Sequence, residues 1–173
     1  FPMVLLVYKI HTLEEGGGFM VNALTVANTI LEKGLQDNID ISPMKIQKLT
    51  FCLYKEYLKQ TGTPLFNERF ETWKYGPVLR SVYEAFKSYG SNAIKDYATA
   101  SDGNIYVVNT SGAPTFRAVL DKVWDMYSRY DGITLSILTH RAGTAWRKAF
   151  DAKRLYLSDN EIAEEADYEP ANT

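Results

Sequence analysis

The sequence predicts a mainly α-helical fold, a compact helical domain with a small antiparallel β element. Amphipathic stretches with apolar residues at helical spacing recur along the chain. Several of them begin with Ser or Pro and end at Gly, which is typical of helix termini. Only short stretches, residues 64–74 and 105–108, have an extended pattern. The 173 residues are 46% hydrophobic and 23% charged, an ordinary composition for one globular domain.

The first two helices are predicted from residue 23 to residue 33 and from residue 43 to about residue 60. Gly34 is a suitable residue to follow the first helix. In the second, Ser42 is a natural N-cap, Pro43 suits the first helical position, and Ile41 can pack on Ile46. The face expected to point to the core carries Ile46, Leu49, Leu53 and Tyr57.

The other face of the second helix carries a basic stripe. Its members are Lys45, Lys48, Cys52, Lys55 and Lys59. One interpretation is a solvated face whose lysine stems lie along apolar surface, and the other is a surface that binds anions or acids. Nucleic acid is the less favoured ligand, because no aromatic residues interleave with the lysines and the pI is about 5.7.

The segment TWKYGPVLRSVYEAF, residues 72–86, predicts a strand, a tight corner and a helix. Trp73 and Tyr75 lie two residues apart, so an extended chain projects both rings from one side. Pro77 has a φ suited to a first helical turn, which predicts a helix start there after Gly76. An apolar stripe follows and closes at Gly90; it consists of Leu79, Val82, Tyr83 and Phe86.

Four further elements are predicted after a short strand at residues 105–108. An amphipathic helix runs from Phe116 to near Gly132, and Thr134 caps a short helix that ends at the THRAG sequence. Trp146, with the apolar residues that follow it, indicates one more helical turn. Finally, Ser158-x-x-Glu161 is a capping box that opens a short acidic helix.

The chain is divided into three parts by these patterns. Residues 1–19 are interpreted as a non-native leader before a start at Met20, because Glu15-Gly16-Gly17 can be encoded by a ribosome-binding sequence; a genuine strand at 4–10 is the alternative. Residues 20–157 form the predicted domain. Residues 158–173 form an acidic tail with six acids and no Lys or Arg, either a solvated end or a segment that covers a basic surface or engages a partner.

Catalytic chemistry is hard to assemble from these residues, so a non-enzymatic protein without metal or cofactor is expected. His140 is the only histidine after Met20, and Cys52 is the only cysteine. A lone cysteine also excludes an intramolecular disulfide, fits a reducing cytoplasm and leaves no Cys-His zinc spacing. An enzyme built on Cys52 or His140 remains a third hypothesis. No apolar run approaches the roughly 20 residues of a membrane span, so no membrane partner is expected.

Three segments resemble the Panacea or SocA-like antitoxin domain family, to which phage-associated GepA proteins belong. They are ISPMKIQKLTFCLYKEYL, GTPLFNERFETWKYGPVLRSVYEAFKSYG and LTHRAGTAWRKAF, and the resemblance extends over about residues 23–150. The chain departs from the family pattern at Arg80, where proline is frequent, at Lys55-Glu56 and in residues 143–145. These departures bear on which partner is bound rather than on the fold.

The resemblance implies a protein-binding module without known catalysis that neutralises a cognate toxin encoded beside it. It also implies, for some members, an adaptor that delivers the toxin to a host protease, or a phage counter-defence role. The family's features map onto residues that we predict to bind the partner: Met44, Lys45, Lys48, Trp73, Tyr75, Gly76, Pro77, Val78, Tyr83, His140 and Trp146. Packing of the aromatic members in the core is the structural alternative. A DNA-binding regulator that uses the basic stripe is the second functional hypothesis.

Overall fold

The structure is a computed structural model that describes residues 21–168. Within them lie seven α-helices and one two-stranded antiparallel sheet, which confirms the predicted fold class. The elements are α1 (Ala23–Asp37), α2 (Pro43–Thr61), β1 (Glu71–Trp73), β2 (Gly76–Val78), α3 (Arg80–Phe86), α4 (Pro114–Tyr127), α5 (Gly132–Thr139), α6 (Ala145–Asp151) and α7 (Asp159–Glu164). The predicted leader, residues 1–19, lies outside the described residues. None of the helices in the described range is long and apolar enough to cross a membrane.

Helix α2 is the central element, and its N-terminus is built as the sequence predicts. The Ser42 hydroxyl accepts a hydrogen bond from the Lys45 amide at 3.2 Å, and Pro43 is the first helical residue. The helix ends at Thr61, because Gly62 takes a left-handed conformation with φ 70°. Helices α1, α4, α5 and α7 and strand β2 all pack against α2, so it is buried on nearly every side.

The prediction of an exposed basic stripe on α2 is wrong. Lys45, Lys48 and Lys55 are buried and Cys52 is 1% exposed, which leaves only Lys59 at the surface. Each ammonium meets a carbonyl or carboxylate oxygen instead: Lys45 at Ser128 O, Lys48 at Pro77 O, Lys55 at the Glu165 carboxylate and Lys59 at Glu165 O. A polar helix face is exposed only where no other part of the chain covers it. This face is covered by the segments that contain Pro77, Ser128 and Glu165.

The described part of the acidic C-terminal segment covers that face rather than ending in solvent. Glu165 and Tyr168 are buried, and Lys55 Nζ lies 3.2 Å from the Glu165 carboxylate and 3.8 Å from the Tyr168 ring centroid. The second interpretation of this segment, a cover over a basic surface, therefore describes its contacts. Helix α7 follows Ser158, but the predicted capping box is wrong because the Ser158 side chain makes no capping bond.

The helix start predicted at Pro77 is also wrong, because Gly76–Val78 forms strand β2 and α3 begins at Arg80. Strand β2 pairs with β1, and Pro77 lies opposite Thr72 in the register. The fixed φ of proline suits a first helical turn and an edge strand equally well, so the local signal is ambiguous. Gly90 follows a 3₁₀ turn with φ 61° and closes this segment as predicted.

Three other boundaries differ from the prediction. Helix α1 does not end at Gly34 but continues to Asp37. The glycine allows close packing inside the helix, since a Cβ at this position would lie 2.7 Å from Ile41 Cδ1. Residues 105–108 form isolated bridges and not a strand. Gly132 begins α5 and does not end α4, and the cap is Asp131, whose carboxylate accepts from the Thr134 amide at 2.7 Å. The helical turn predicted around Trp146 is confirmed as α6.

Candidate functional site: the hairpin tip and its groove

The hairpin tip, residues 73–76, is a two-residue turn in which Trp73 pairs with Gly76. Gly76 has φ +112°, a conformation that favours glycine. A Cβ at this position would lie 2.7 Å from both Lys48 Cε and Thr139 Oγ1. The tip therefore requires glycine for its backbone conformation and for its close approach to α2 and α5.

Three consecutive carbonyl groups of the tip are held by side chains from α5, its C-terminal end and α6. Trp146 Nε1 donates to Trp73 O at 2.8 Å, and Ser136 Oγ donates to Tyr75 O at 2.7 Å. Between them, His140 Nε2 lies 2.9 Å from Lys74 O and donates to it when that nitrogen carries the proton. A two-residue turn is thus fixed at each of its carbonyls by a different side chain.

The base of the hairpin is fixed by two consecutive residues of α2. Lys48 Nζ donates to Pro77 O at 3.1 Å. The Gln47 amide group donates to Leu79 O at 3.0 Å and accepts from the Leu79 amide at 2.9 Å, so it replaces a missing strand at this edge. Sequence reasoning missed Gln47 and Ser136. Their only signal was a polar residue next to a core position on a predicted helix.

Apart from Lys45, the residues predicted to bind a partner are therefore of two kinds. Lys48 and Trp146 are each 1% exposed, and the β2 residues Gly76, Pro77 and Val78 are buried. These five hold or form the backbone of the hairpin. The members that reach the surface are Met44, Trp73, Tyr75, Tyr83 and His140, with Tyr75 57% and Tyr83 38% exposed. A contact with a partner stays a prediction for all of them.

A groove of about 420 Å³ lies beside the tip and collects most of these residues. Its walls come from the first turns of α2, the hairpin and α3; they are Pro43, Met44, Gln47, Lys48, Trp73, Lys74, Tyr75, Val78, Val82, Tyr83 and Gly90. Trp73 and Tyr83 pack edge to face across it, with ring centroids 4.6 Å apart. The lining is mainly apolar, as expected for a site that takes a hydrophobic side chain.

Arg80 supports the outer edge of the groove. Its guanidinium binds both carboxylate oxygens of Glu71, at 3.0 and 3.1 Å, and lies 5.2 Å from the Trp73 ring centroid. This departure from the family pattern thus carries a contact that proline cannot make. It links the first residue of β1 to the first residue of α3.

Lys45, one of the residues predicted to bind the partner, does not line this groove. Lys45 Nζ donates to Ser128 O at 2.5 Å and lines a neighbouring cavity of about 550 Å³. Burial lowers the pKa of Lys45, and the carboxylates of Asp131 and Asp40 oppose that shift. Met44 and Gly90 line both cavities and separate the two sites.

On the other side of the tip, aromatic rings continue from the interior to the surface. The Trp146 ring lies 3.9 Å from the His140 ring and 4.6 Å from the Phe150 ring, centroid to centroid. Phe150 is 45% exposed. The Arg147 guanidinium covers Trp146 at 5.0 Å, and its Nε donates to His140 O at 3.0 Å.

The titratable groups near the site are shaped by burial. Burial lowers the pKa of Lys48 to about 7, against an opposing effect of Cys52. Burial raises the pKa of the Cys52 thiol to about 12, which keeps it protonated and a poor nucleophile. Among the described residues, no group of three or more His, Cys, Asp or Glu side chains is placed to hold a metal ion.

Comparison with known proteins shows the family of the chain. The family model described as "Antitoxin SocA-like, Panacea domain" matches residues 46–147, which contain the hairpin, the residues that hold the tip and all of the groove lining except Pro43 and Met44. The chain is 31% identical over 129 residues to the protein named Antitoxin SocA from Caulobacter vibrioides (strain NA1000 / CB15N), covering 73% of this chain and 69% of that relative. No solved structure matches the chain significantly. The chain belongs to the family of SocA-like antitoxins with a Panacea domain.

Proposed function

We propose that this protein is an antitoxin that neutralises a cognate toxin by direct contact with the hairpin tip and the groove. The family is that of antitoxins, which supports a toxin as the partner. The observation that carries the proposed site is the fixation of three consecutive tip carbonyls by Trp146, His140 and Ser136.

A fixed tip suits binding because its ordering is complete before a partner arrives. The backbone of Tyr75 is held by Ser136, yet its side chain is 57% exposed. Tyrosine is enriched among the residues that dominate binding energies, and a preorganised loop loses little entropy on association. The apolar groove beside it offers a pocket for a side chain of the partner.

The same site supports a non-enzymatic role. The Cys52 thiol is buried with a raised pKa, and both ring nitrogens of His140 face carbonyl oxygens, those of Ser136 and Lys74. Neither residue is free to act on a substrate in this arrangement. We therefore propose a binding function without a cofactor rather than catalysis. We propose the cytoplasm as its location, because a lone cysteine fits a reducing compartment.

Co-expression with the product of the neighbouring gene tests this function. The wild-type protein is expected to restore growth and to co-purify with that product. Tyr75→Ala should abolish both while its melting temperature stays within about 2 °C of wild type, because surface changes alter stability little. Leu35→Ala is the matched control, since Leu35 is 56% exposed on α1. A wild-type protein that neither rescues nor co-purifies contradicts the proposal.

Two finer roles are separated by the fate of the toxin. An adaptor that delivers the toxin to a protease shortens the toxin's half-life in the cell, whereas simple neutralisation or counter-defence leaves it unchanged or longer. A pulse-chase measurement with and without this protein distinguishes them. The DNA-binding alternative is not supported, because the lysines that it required at the surface are buried, apart from Lys59.

A further inference from the structure

The segment that supplies the side chains holding the hairpin tip is rich in basic residues. Residues 129–154, which supply α5, α6 and the loops around them, contain six basic and two acidic side chains. Lys74 adds an exposed cation at the tip itself. The segment 158–168 has the opposite character, with five acids and no Lys or Arg. Basic residues are thus concentrated in the segment that holds the tip, and acidic residues in the C-terminal segment.

Two cations, one at the tip and one next to His140 in the chain, have no carboxylate partner among residues 21–168. They are Lys74 and Arg141, both exposed, and Arg141 directly follows the histidine that holds the tip. The Lys74 ammonium lies 5.2 Å from the Tyr75 ring centroid, so charge and exposed aromatic surface coincide. By contrast, Arg80 at the far edge of the groove is bound by Glu71 at both carboxylate oxygens. Lys74 and Arg141 are available to an incoming anion.

The backbone carbonyl groups at the tip, those of residues 73, 74 and 75, each already face a side chain of the domain. The exposed charged groups beside them are cations. The complementary group of a partner is therefore an acceptor with negative charge. A carboxylate fits both requirements.

Apolar surface adjoins the same tip. The groove offers the rings of Trp73 and Tyr83, and α5 presents Ile137, which is 61% exposed. Ser136, which holds the tip, directly precedes Ile137. Such a combination favours a protein segment over a nucleic acid, since phosphates make no use of an apolar groove.

We propose that the hairpin tip binds an acidic, amphipathic segment of the toxin, which places an apolar side chain in the groove and carboxylates against Lys74 and Arg141. The proposal rests on the proposed function, since it concerns the same partner. It specifies the chemistry of the recognised segment, which the family alone does not.

Calorimetric titration of the purified toxin into charge-reversal variants tests this chemistry. Lys74→Glu/Arg141→Glu should weaken binding about tenfold or more, because close charge pairs across an interface contribute at this level or above. Lys95→Glu/Arg117→Glu changes the net charge equally at exposed positions on other parts of the surface and should bind as wild type. Wild-type affinity should also fall as salt is raised, with a smaller slope for the tip variant.

A toxin variant supplies a second, reciprocal test. Reversal of an Asp or Glu in the recognised segment to Lys should restore binding to Lys74→Glu/Arg141→Glu. Equal affinities of the tip and control variants would overturn the inference while leaving the antitoxin function intact. The inference would also be overturned if Lys74→Glu/Arg141→Glu lost binding to a promoter DNA duplex but kept the wild-type affinity for the toxin. A wild-type protein that binds no toxin would overturn the proposed function itself.

Discussion

Lys48 and Lys55 lie seven residues apart on the same side of α2, and both are 1% exposed, but the charges of their ammonium groups are compensated differently. Lys55 has a full counter-charge: the Glu165 carboxylate lies 3.2 Å away and the Tyr168 ring covers the ammonium. Lys48 has one neutral partner, the Pro77 carbonyl, and burial lowers its pKa to about 7. Lys55 thus binds the C-terminal segment through an ion pair. Lys48 supports the hairpin tip through a hydrogen bond, but no carboxylate compensates its charge.

The largest effect is expected at the compensated lysine. Glu165→Gln leaves the Lys55 ammonium buried without a counter-charge, which should lower the free energy of unfolding by about 3–5 kcal/mol. Urea unfolding measures it, and Glu164→Gln is the control, because Glu164 is exposed next to it in the chain. A Glu165→Gln protein as stable as the control would show that the pair does not hold the C-terminal segment.

The contrast between the two lysines also shows what sequence reasoning reached. The start of α2 was predictable because Ser42 and Pro43, with Ile41 and Ile46 beside them, form a local pattern within six residues. The burial of the lysines was not predictable, because their partners lie 29 residues away in the sequence, at Pro77, and more than 100 residues away, at Glu165. Residue types at helical spacing do not reveal a cover that comes from the distant C-terminal segment.

The hairpin illustrates the same limit at the candidate site. The motif residues were identified from the sequence, and the groove brings Met44, Lys48, Trp73, Tyr75 and Tyr83 together. Their division into buried supports and exposed side chains followed only from the structure. The helix start predicted at Pro77 was wrong because the φ of proline suits both a helix start and an edge strand. The pairing of β1 with β2 selects the strand.

The next largest effect is expected where the uncompensated lysine meets the tip. Gly76→Ala places a Cβ 2.7 Å from Lys48 Cε in a backbone conformation with φ +112°, and should lower stability by about 1–3 kcal/mol. Gly143→Ala is the matched control: it also has a positive φ of +83°, but its Cβ would meet no atom within 4 Å. Thermal melts compare them. An equal loss in both variants would show that close packing under the tip is unimportant.

A smaller, pH-dependent effect distinguishes Lys48 from other lysines. Its folded pKa is about 7, whereas an unfolded lysine titrates near about 10.4. Between these values only the unfolded chain holds the proton, so the Lys48 contribution to unfolding free energy rises with pH, by up to about 1.4 kcal/mol per unit. Below pH 7 both states are protonated and the contribution is constant.

Lys48→Met keeps the aliphatic stem and should remove that rise. The measurement is the difference in unfolding free energy between wild type and variant from pH 7 to 9.5. A difference is needed because the raised pKa of Cys52 makes stability fall with pH above about 8.5, where the unfolded thiol titrates. Exposed Lys95→Met should leave the pH dependence of wild type unchanged. Parallel curves for wild type and Lys48→Met would mean that Lys48 is charged in the fold across this range.

The toxin affinity of Ser136→Ala tests most directly the central claim that buried side chains fix the tip for binding. Ser136 is 6% exposed and donates to Tyr75 O, so its loss frees one tip carbonyl without deleting any exposed side chain. We expect stability to fall by about 1 kcal/mol, as for one hydrogen bond, and the dissociation constant to rise about five- to tenfold. An unchanged dissociation constant with the same loss of stability would contradict the account.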